Sequence, residues 1–161
     1  MKIIVLLLSF SFLLNCSSSI VQSNKPQNEG DDIVTIKAEI ISVKVSGNEM
    51  SYTFSVKIES PDKGCKQYAD WWEVVSEEGK LIYRRILLHS HANEQPFERS
   101  GGVVPIKADQ IIIVRGHMNN FGYSNEGVKG SVNTGFKKVI LDSNFAIDLE
   151  HKEPLPQDCA F

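Results

Sequence analysis

The sequence feature that most constrains the fold is the stretch of residues 50–59, in which apolar and polar side chains alternate strictly. Its apolar members occupy every second position: Met50, Tyr52, Phe54, Val56 and Ile58. A period of two places such residues on one face of a β-strand, whereas a helix would scatter them around its axis. The stretch therefore predicts a half-buried antiparallel strand.

A β-branched stretch precedes this strand and is predicted to pair with it. Residues 33–45 alternate roughly, and the break of phase at Ile40 and Ile41 is typical of a β-bulge or a strand switch. Residues 46–49, with the sequence SGNE, have the composition of a turn. These residues predict a hairpin whose second strand begins at Met50.

Further short strands follow, and no segment shows the period of a helix. Residues 71–75 and 81–88 flank a turn that contains Gly79, which predicts a second hairpin. Three more strands are predicted at residues 111–118, 136–141 and 145–149. About seven short strands predict an all-β fold, an antiparallel β-sandwich. A small lipocalin-like or jelly-roll barrel is the alternative architecture.

Two segments resemble known families. Residues 114–124, VRGHMNNFGYS, resemble the strand F region of immunoglobulin-like and fibronectin type III-like modules, in which an alternating strand is followed by Asn, Gly and Ser. The resemblance implies a sandwich of that class and no activity. Residues 68–102, with their WWE, RRIL, HSH, EQPF and RSGG blocks, are similar to small exported bacterial proteins of unknown function. That similarity implies a single β domain.

The first residues have the features of an export signal. Lys2 precedes a run of apolar residues at positions 3–14, interrupted only by Ser9 and Ser11. As a helix this run would span about 18 Å, which is too short for a hydrocarbon core about 30 Å thick. A cleavable signal peptide at residues 1–16 is therefore favoured over a permanent membrane span.

The end of this run, LLNC, resembles a bacterial lipobox, with Asn15 at the position that usually holds Gly or Ala. The resemblance implies cleavage before Cys16 and attachment of diacylglycerol to its sulfur, and further acyl chains such as palmitate would anchor the protein stably. The alternative is an ordinary secretory signal. Residues 17–32 are polar and are predicted to form a flexible tether. Residues 33–161 then form the β-sandwich domain.

Cys65 and Cys159 remain once Cys16 is assigned to lipid. In an oxidising compartment this pair predicts a disulfide that ties the C-terminal residues to the domain. The alternative, in which two free thiols bind a metal, lacks the close spacing of thiolate sites. Composition adds that 42% hydrophobic and 23% charged residues are ordinary for a globular protein, and a net charge of −3 gives no indication of nucleic-acid binding.

Two adjacent tryptophans are candidates for ligand binding. Trp71 and Trp72 point to opposite faces of a strand, so one can fill the core while the other points outward. An outward tryptophan beside Tyr68 could stack on a sugar ring or a partner. The alternative is that a loop or the C-terminal tail covers it.

Histidines are the candidate metal ligands. His89 and His91 are two residues apart, so both imidazoles project to one side of an extended chain. With His117 they could bind zinc or copper, and further ligands could come from elsewhere: Glu94, Met118 and His151. The alternative is that these histidines form hydrogen bonds with loop backbone.

Arginines are the candidate anion ligands, because each guanidinium can form a bidentate pair with a carboxylate or phosphate. The four candidates are Arg84, Arg85, Arg99 and Arg115. Arg84 and Arg85 point to opposite faces, so one is expected to pair with Glu73 and the other is the better ligand candidate. For each arginine the alternative is a solvated or internally paired state.

Residues 92–110 are interpreted as one long polar connection, and connections of this length are usually functional or mobile. It contains Glu94 and Arg99, which are further candidate ligand-binding residues.

No catalytic motif is present, and Ser90 points away from its neighbouring histidines on an extended strand, so no enzyme is predicted. The first hypothesis is a lipid-anchored binding module on the periplasmic or outer-membrane face of a bacterial envelope. Its partners would be the membrane, through its anchor, and an envelope protein or glycan, without nucleic acid. The alternative is a periplasmic metal-binding module that uses the histidine cluster. An envelope hydrolase is a weaker alternative.

Overall fold

The structure, a computed structural model, describes residues 37–160. The predicted signal peptide at residues 1–16, the lipidation site Cys16 and the tether at residues 17–32 lie outside the described residues. None of the helices in the described part of the chain is long and apolar enough to cross a bilayer.

Nine antiparallel strands and one short 3₁₀ helix form the described domain. The strands are β1 (Glu39–Asn48), β2 (Ser51–Glu59), β3 (Ala69–Ser76), β4 (Leu81–Ile86), β5 (Phe97–Val104), β6 (Ile112–Met118), β7 (Gly122–Tyr123), β8 (Glu126–Ser131) and β9 (Gly135–Ile140), and the 3₁₀ helix is Ile147–His151. One sheet has the order β1-β2-β5, and the other has the order β4-β3-β6-β8-β9 with β7 beside β6. The predicted all-β antiparallel sandwich is confirmed, with nine strands instead of about seven.

The hydrophobic core lies between the two sheets and follows from the alternation in β2. Its members from β2 are Tyr52, Phe54, Val56 and Ile58. From the facing sheet, β3 contributes Trp72 and Val74, and β6 contributes its own alternate residues: Ile112, Val114 and Met118. The opposite side chains of β2 are exposed or half-buried, as the period of two requires.

The predicted hairpin between β1 and β2 exists, but its turn is displaced. The predicted bulge is confirmed, because the register shifts between Ile40 and Ser42. Pairing continues to Asn48 and Ser51, so the turn falls two residues later than predicted. Met50 was therefore wrongly assigned to the buried face: it lies in the turn, with φ +64°, and is 52% exposed. The longer ladder pairs backbone groups of residues that the prediction had placed in the turn.

Three other elements differ from the prediction. The connection at residues 92–110 is not one long loop, because it contains β5, which pairs with β2. The sequence of β5, FERSGGVV, carries too few alternating apolar residues to be recognised as a strand. The same is true of the glycine-containing β8. The predicted last strand at residues 145–149 is wrong: the 3₁₀ helix begins there instead, and its residue Leu149 is buried.

Candidate functional site

The C-terminal residues 145–160, hereafter the strap, cover the outer face of the larger sheet. Between the strap and the sheet lies a second hydrophobic cluster, formed by Trp71, Val75 and Tyr123 together with Leu149 of the strap. Both faces of β3 and β6 are consequently buried along their whole length. Trp72 fills the inner core and Trp71 lies beneath the strap, so neither indole is free to stack on a ligand. Tyr68, the third aromatic candidate, is also buried.

A buried charge cluster joins the sheet to the strap. It consists of Glu73 on β3, Arg84 on β4 and Arg115 on β6, whose side chains are at most 2% exposed. The Arg84 guanidinium donates to Oε2 of Glu73 from Nε at 2.8 Å and from Nη2 at 2.6 Å. Arg115 Nε donates to the other carboxylate oxygen at 2.9 Å. One carboxylate therefore binds two guanidinium groups.

The remaining donors of both arginines bind backbone carbonyls of the strap. Arg84 donates to three of them, those of Leu149, Lys152 and Pro154, at 2.6–3.0 Å. Arg115 donates to the carbonyls of Phe145 and Ala146 at 2.7 and 2.9 Å. These bonds satisfy carbonyls in a segment that has no sheet partner. The cluster therefore fixes the path of the strap over the sheet.

Aromatic side chains complete the environment of the cluster. The Arg84 guanidinium lies 4.4 Å from the centre of the Trp71 ring, and that of Arg115 lies 3.5 Å from the centre of the Tyr123 ring. Burial and the nearby Glu73 carboxylate raise the pKa of Tyr123 well above its ordinary value. Its hydroxyl therefore stays protonated, and it accepts a hydrogen bond from Arg84 at 3.2 Å.

These contacts show how each of the four candidate arginines is paired in the structure. Arg84 is the arginine that pairs with Glu73, in the structural role expected for one of the neighbours. Arg115, predicted as an anion ligand, is wrongly assigned because its charge is paired with the buried Glu73 and its guanidinium nitrogens donate to Glu73 and the strap. Arg99 pairs with Glu94 at 2.6 Å on the surface, where the Arg99 guanidinium lowers the pKa of the Glu94 carboxyl. Arg85 donates to two backbone carbonyls, one of them on β5.

The candidate histidines are divided between two places. His117 Nδ1 lies 2.7 Å from Asp70 and its Nε2 lies 3.3 Å from Glu150 of the strap, while its ring stacks on Trp71 at 3.6 Å. His89 and His91 lie together elsewhere, with ring centres 4.6 Å apart. Among residues 37–160, no group of three His, Cys, Asp or Glu side chains is arranged to hold a metal ion. The predicted zinc or copper site of three histidines is therefore not formed, because both nitrogens of His117 face carboxylates.

His91 is buried against an aromatic ring, whereas the ring nitrogens of His117 lie beside carboxylates. Its ring stacks on Phe97 at 3.9 Å, and within the described residues neither ring nitrogen has a hydrogen-bond partner. Burial lowers the pKa of His91, and the positive charge of Arg99 lowers it further. The imidazole is thus held neutral near pH 7 and contributes packing rather than charge.

The predicted disulfide between Cys65 and Cys159 is confirmed, with a sequence separation of 94 residues. It fastens the end of the strap near the start of β3. Next to it, the backbone NH of Ala160 donates to the carbonyl of Leu88 at 2.5 Å. The strap is thus held covalently at its end and by the buried charge cluster along its length.

A pocket of about 520 Å³, hereafter the strap pocket, opens between the strap and the loops that flank β7. One wall is the segment 119–125, which turns at Gly122 with φ +71°. The opposite wall comes from the strap, through its residues Phe145, Ile147 and Glu150. Residues 141–143 and Lys37 complete the lining. Its volume is in the range of small-molecule sites.

The pocket lining combines polar groups with exposed apolar side chains. Asn120, Asn125 and Ser143 contribute polar side chains to this lining. Phe121 and Ile147 lie in the same lining and are 41% and 45% exposed. The pocket thus offers side-chain donors and acceptors beside two solvent-facing apolar surfaces.

Sequence reasoning missed these pocket residues. Residues 119–124 belong to the stretch predicted as the end of a strand and its turn, although the sequence of segment 119–125, NNFGYSN, places a phenylalanine among amides. A phenylalanine among amides was the feature of the sequence from which a binding segment could have been predicted. The contribution of the strap could not be recognised, because it comes from a segment interpreted as a strand.

No protein-family model matches this chain, and no solved structure matches it. The chain is similar to a curated protein of Halomicrobium mukohataei that is described as a "Putative lipoprotein". The two are 29% identical over 115 residues, which are 71% of this chain. The matched region covers 57% of that relative.

Proposed function

We propose that this protein is a lipid-anchored envelope protein whose β-sandwich domain binds an envelope component in the strap pocket. The observation that carries the proposal is the pocket itself, because its strap wall is fixed by buried charges. A wall that is already ordered loses little conformational entropy when a ligand binds.

The anchoring half of the proposal rests on the amino-terminal sequence and on the relative. The LLNC sequence resembles a lipobox, and the relative of similar sequence carries a lipoprotein description. The proposed site of acylation is Cys16, and the proposed location is the periplasmic or outer-membrane face of a bacterial envelope.

Strand order supports the finer proposal of an immunoglobulin-like or fibronectin type III-like architecture. The first, second and fifth strands share one sheet, while the third, sixth and eighth share the other. Immunoglobulin-like sandwiches divide strands A, B and E from strands C, F and G in the same way. In such modules the connections at the ends of the sheets are common binding surfaces, and segment 119–125, which contains β7, is a connection of this kind.

Anchoring is tested with a Cys16→Ser variant in a bacterial host. The parent protein should incorporate radiolabelled palmitate and fractionate with membranes, whereas the variant should incorporate none and appear in the soluble fraction. A variant that is labelled and fractionates like the parent would contradict the anchor assignment. Cys159→Ser is the control for loss of a cysteine outside the signal: it breaks the disulfide with Cys65 but keeps Cys16, so labelling should be unchanged.

Binding is tested by hydrogen exchange on the full-length protein purified in detergent. Solubilised envelope material should slow amide exchange in segment 119–125 and at residues 141–150, which form the two walls of the pocket. An Asn125→Ala variant should lose this protection, while Asn133→Ala, which alters an exposed asparagine elsewhere, should keep it. Protection confined to other surfaces would refute the assignment of the pocket.

A further inference from the structure

The chemistry of the strap pocket restricts the charge of its ligand. Two carboxylates line it, Asp142 and Glu150, against the cations Lys37 and Arg115. The charge of Arg115 is already paired with Glu73, and each of its three guanidinium nitrogens donates to Glu73 or to a carbonyl of the strap. An anionic ligand would therefore meet two carboxylates and a single amine, so phosphates and carboxylates fit poorly.

The unused hydrogen-bonding groups restrict the ligand further. Each carboxylate uses one oxygen internally: Asp142 accepts from the NH of Asn144 at 2.8 Å, and Glu150 lies 3.3 Å from His117. The second oxygen of each carboxylate has no partner among the described residues. With the side-chain amides of Asn120 and Asn125, the pocket presents both donors and acceptors. Hydroxyl groups match this mixture, because each one donates and accepts.

The apolar members of the lining lie beside these polar groups. Phe121 is 41% exposed and Ile147 is 45% exposed. An aromatic ring has an electron-rich face, which attracts polarised C–H groups. A sugar ring has such C–H groups on its face and hydroxyls around its edge, so it can stack on an aromatic ring while its edge forms hydrogen bonds.

On the premise of the proposed function, we infer that the strap pocket binds an uncharged saccharide unit. Phe121 packs against the sugar face. Asn120 and Asn125 donate to ring hydroxyls and accept from them, and the free oxygens of Asp142 and Glu150 accept from the hydroxyls that point toward the strap. A pocket of about 520 Å³ holds one or two such units.

The experiment is calorimetric titration of the full-length protein in a zwitterionic detergent, because detergents with sugar headgroups would compete for the pocket. The probes are the trisaccharides of N-acetylglucosamine, glucose and mannose, with a trisaccharide of galacturonic acid as the anionic arm. At least one uncharged trisaccharide should bind, and the galacturonic acid trisaccharide should not. Tighter binding of the anionic trisaccharide would overturn the inference.

Variants then locate the bound sugar. Phe121→Ala and Asn125→Ala should each weaken binding at least tenfold. Val103→Ala and Asn133→Ala, which truncate an exposed apolar residue and an exposed asparagine outside the pocket, should leave the affinity unchanged. Sugar binding that survives both pocket variants would overturn the inference.

The proposed function and the sugar assignment can fail separately. If envelope material protects the pocket walls from exchange while no uncharged trisaccharide binds, the saccharide assignment is wrong and the pocket keeps its binding role. If envelope material leaves the pocket walls unprotected and no sugar binds, both proposals are wrong.

Discussion

The buried charge cluster makes a strong prediction about the variant Glu73→Gln. The substitution keeps the shape of the side chain but removes the only negative charge that faces Arg84 and Arg115 within the cluster. It also turns an amide NH₂ toward guanidinium donors, so at least one hydrogen bond is lost. Both arginines remain buried with their charges uncompensated.

The size of the effect follows from that burial. Removing one partner of a buried ion pair costs about 3–5 kcal/mol, because the remaining charge is left desolvated. Whole domains are stable by about 5–15 kcal/mol, so the loss is a large share of the total. With a urea dependence of about 2 kcal/mol per molar, the unfolding midpoint should fall by about 2 M.

The assay is urea denaturation of the full-length protein, followed by tryptophan fluorescence, since Trp71 lies against Arg84 beneath the strap. The matched control is Glu77→Gln, which breaks a surface pair with Lys129 whose side chains are 46% and 42% exposed. Such pairs are worth at most about 1 kcal/mol. A Glu73→Gln variant no less stable than the Glu77→Gln variant would show that the cluster is solvated, which would refute the reasoning.

Three further predictions follow from the described contacts. The pKa of His91 is lowered in the folded protein, so the neutral imidazole contributes stability at pH values above its ordinary pKa of 6.5, and this stability is lost as the pH falls through the lowered pKa. Below pH 6.5 the free energy of unfolding should therefore fall less in a His91→Phe variant than in the parent. Urea denaturation at several pH values measures this difference. The double variant Cys65→Ser, Cys159→Ser should lose about 4–5 kcal/mol in the chain-entropy model, and reduction of the parent should give a similar fall in its urea midpoint. Trp72→Ala should cost about 3–5 kcal/mol, because it leaves a cavity between the sheets, and an unchanged thermal midpoint would contradict the core assignment.

Sequence patterns predicted those parts of the fold that depend on neighbouring residues or on a small number of residues of one type. The alternation of β2 follows directly from one buried and one exposed face, and the pairing of Cys65 with Cys159 follows from counting cysteines in an oxidising compartment. The pairing of Glu73 with a neighbouring arginine followed from strand geometry across a hairpin. In each case the signal lies in residues that are close together or few in number.

The candidate site could not be predicted in the same way, because it depends on contacts between distant segments. On β6, Arg115 and His117 alternate with apolar residues, which is typical of a strand with one solvent-facing side. The strap covers that side, and its bonds to Arg84 join residues 65–70 positions apart. No feature of the neighbouring sequence distinguishes an arginine that faces water from one that donates hydrogen bonds to backbone carbonyls of a distant segment.

The strap contributes both to the stability of the domain and to the wall of the proposed binding pocket. A variant can therefore lose its ligand either because a contact with the ligand is removed or because the wall is no longer held in place. Glu73 lies outside the pocket lining, yet it orients Arg115, which binds the strap carbonyls beside the pocket wall. A Glu73→Gln variant should therefore weaken binding together with stability, because the wall is no longer held. An Asn125→Ala variant should weaken binding while its free energy of unfolding stays within about 0.5 kcal/mol of the parent value, as expected for an exposed side chain. Measuring both quantities on both variants thus distinguishes a residue that contacts the ligand from one that only positions the wall.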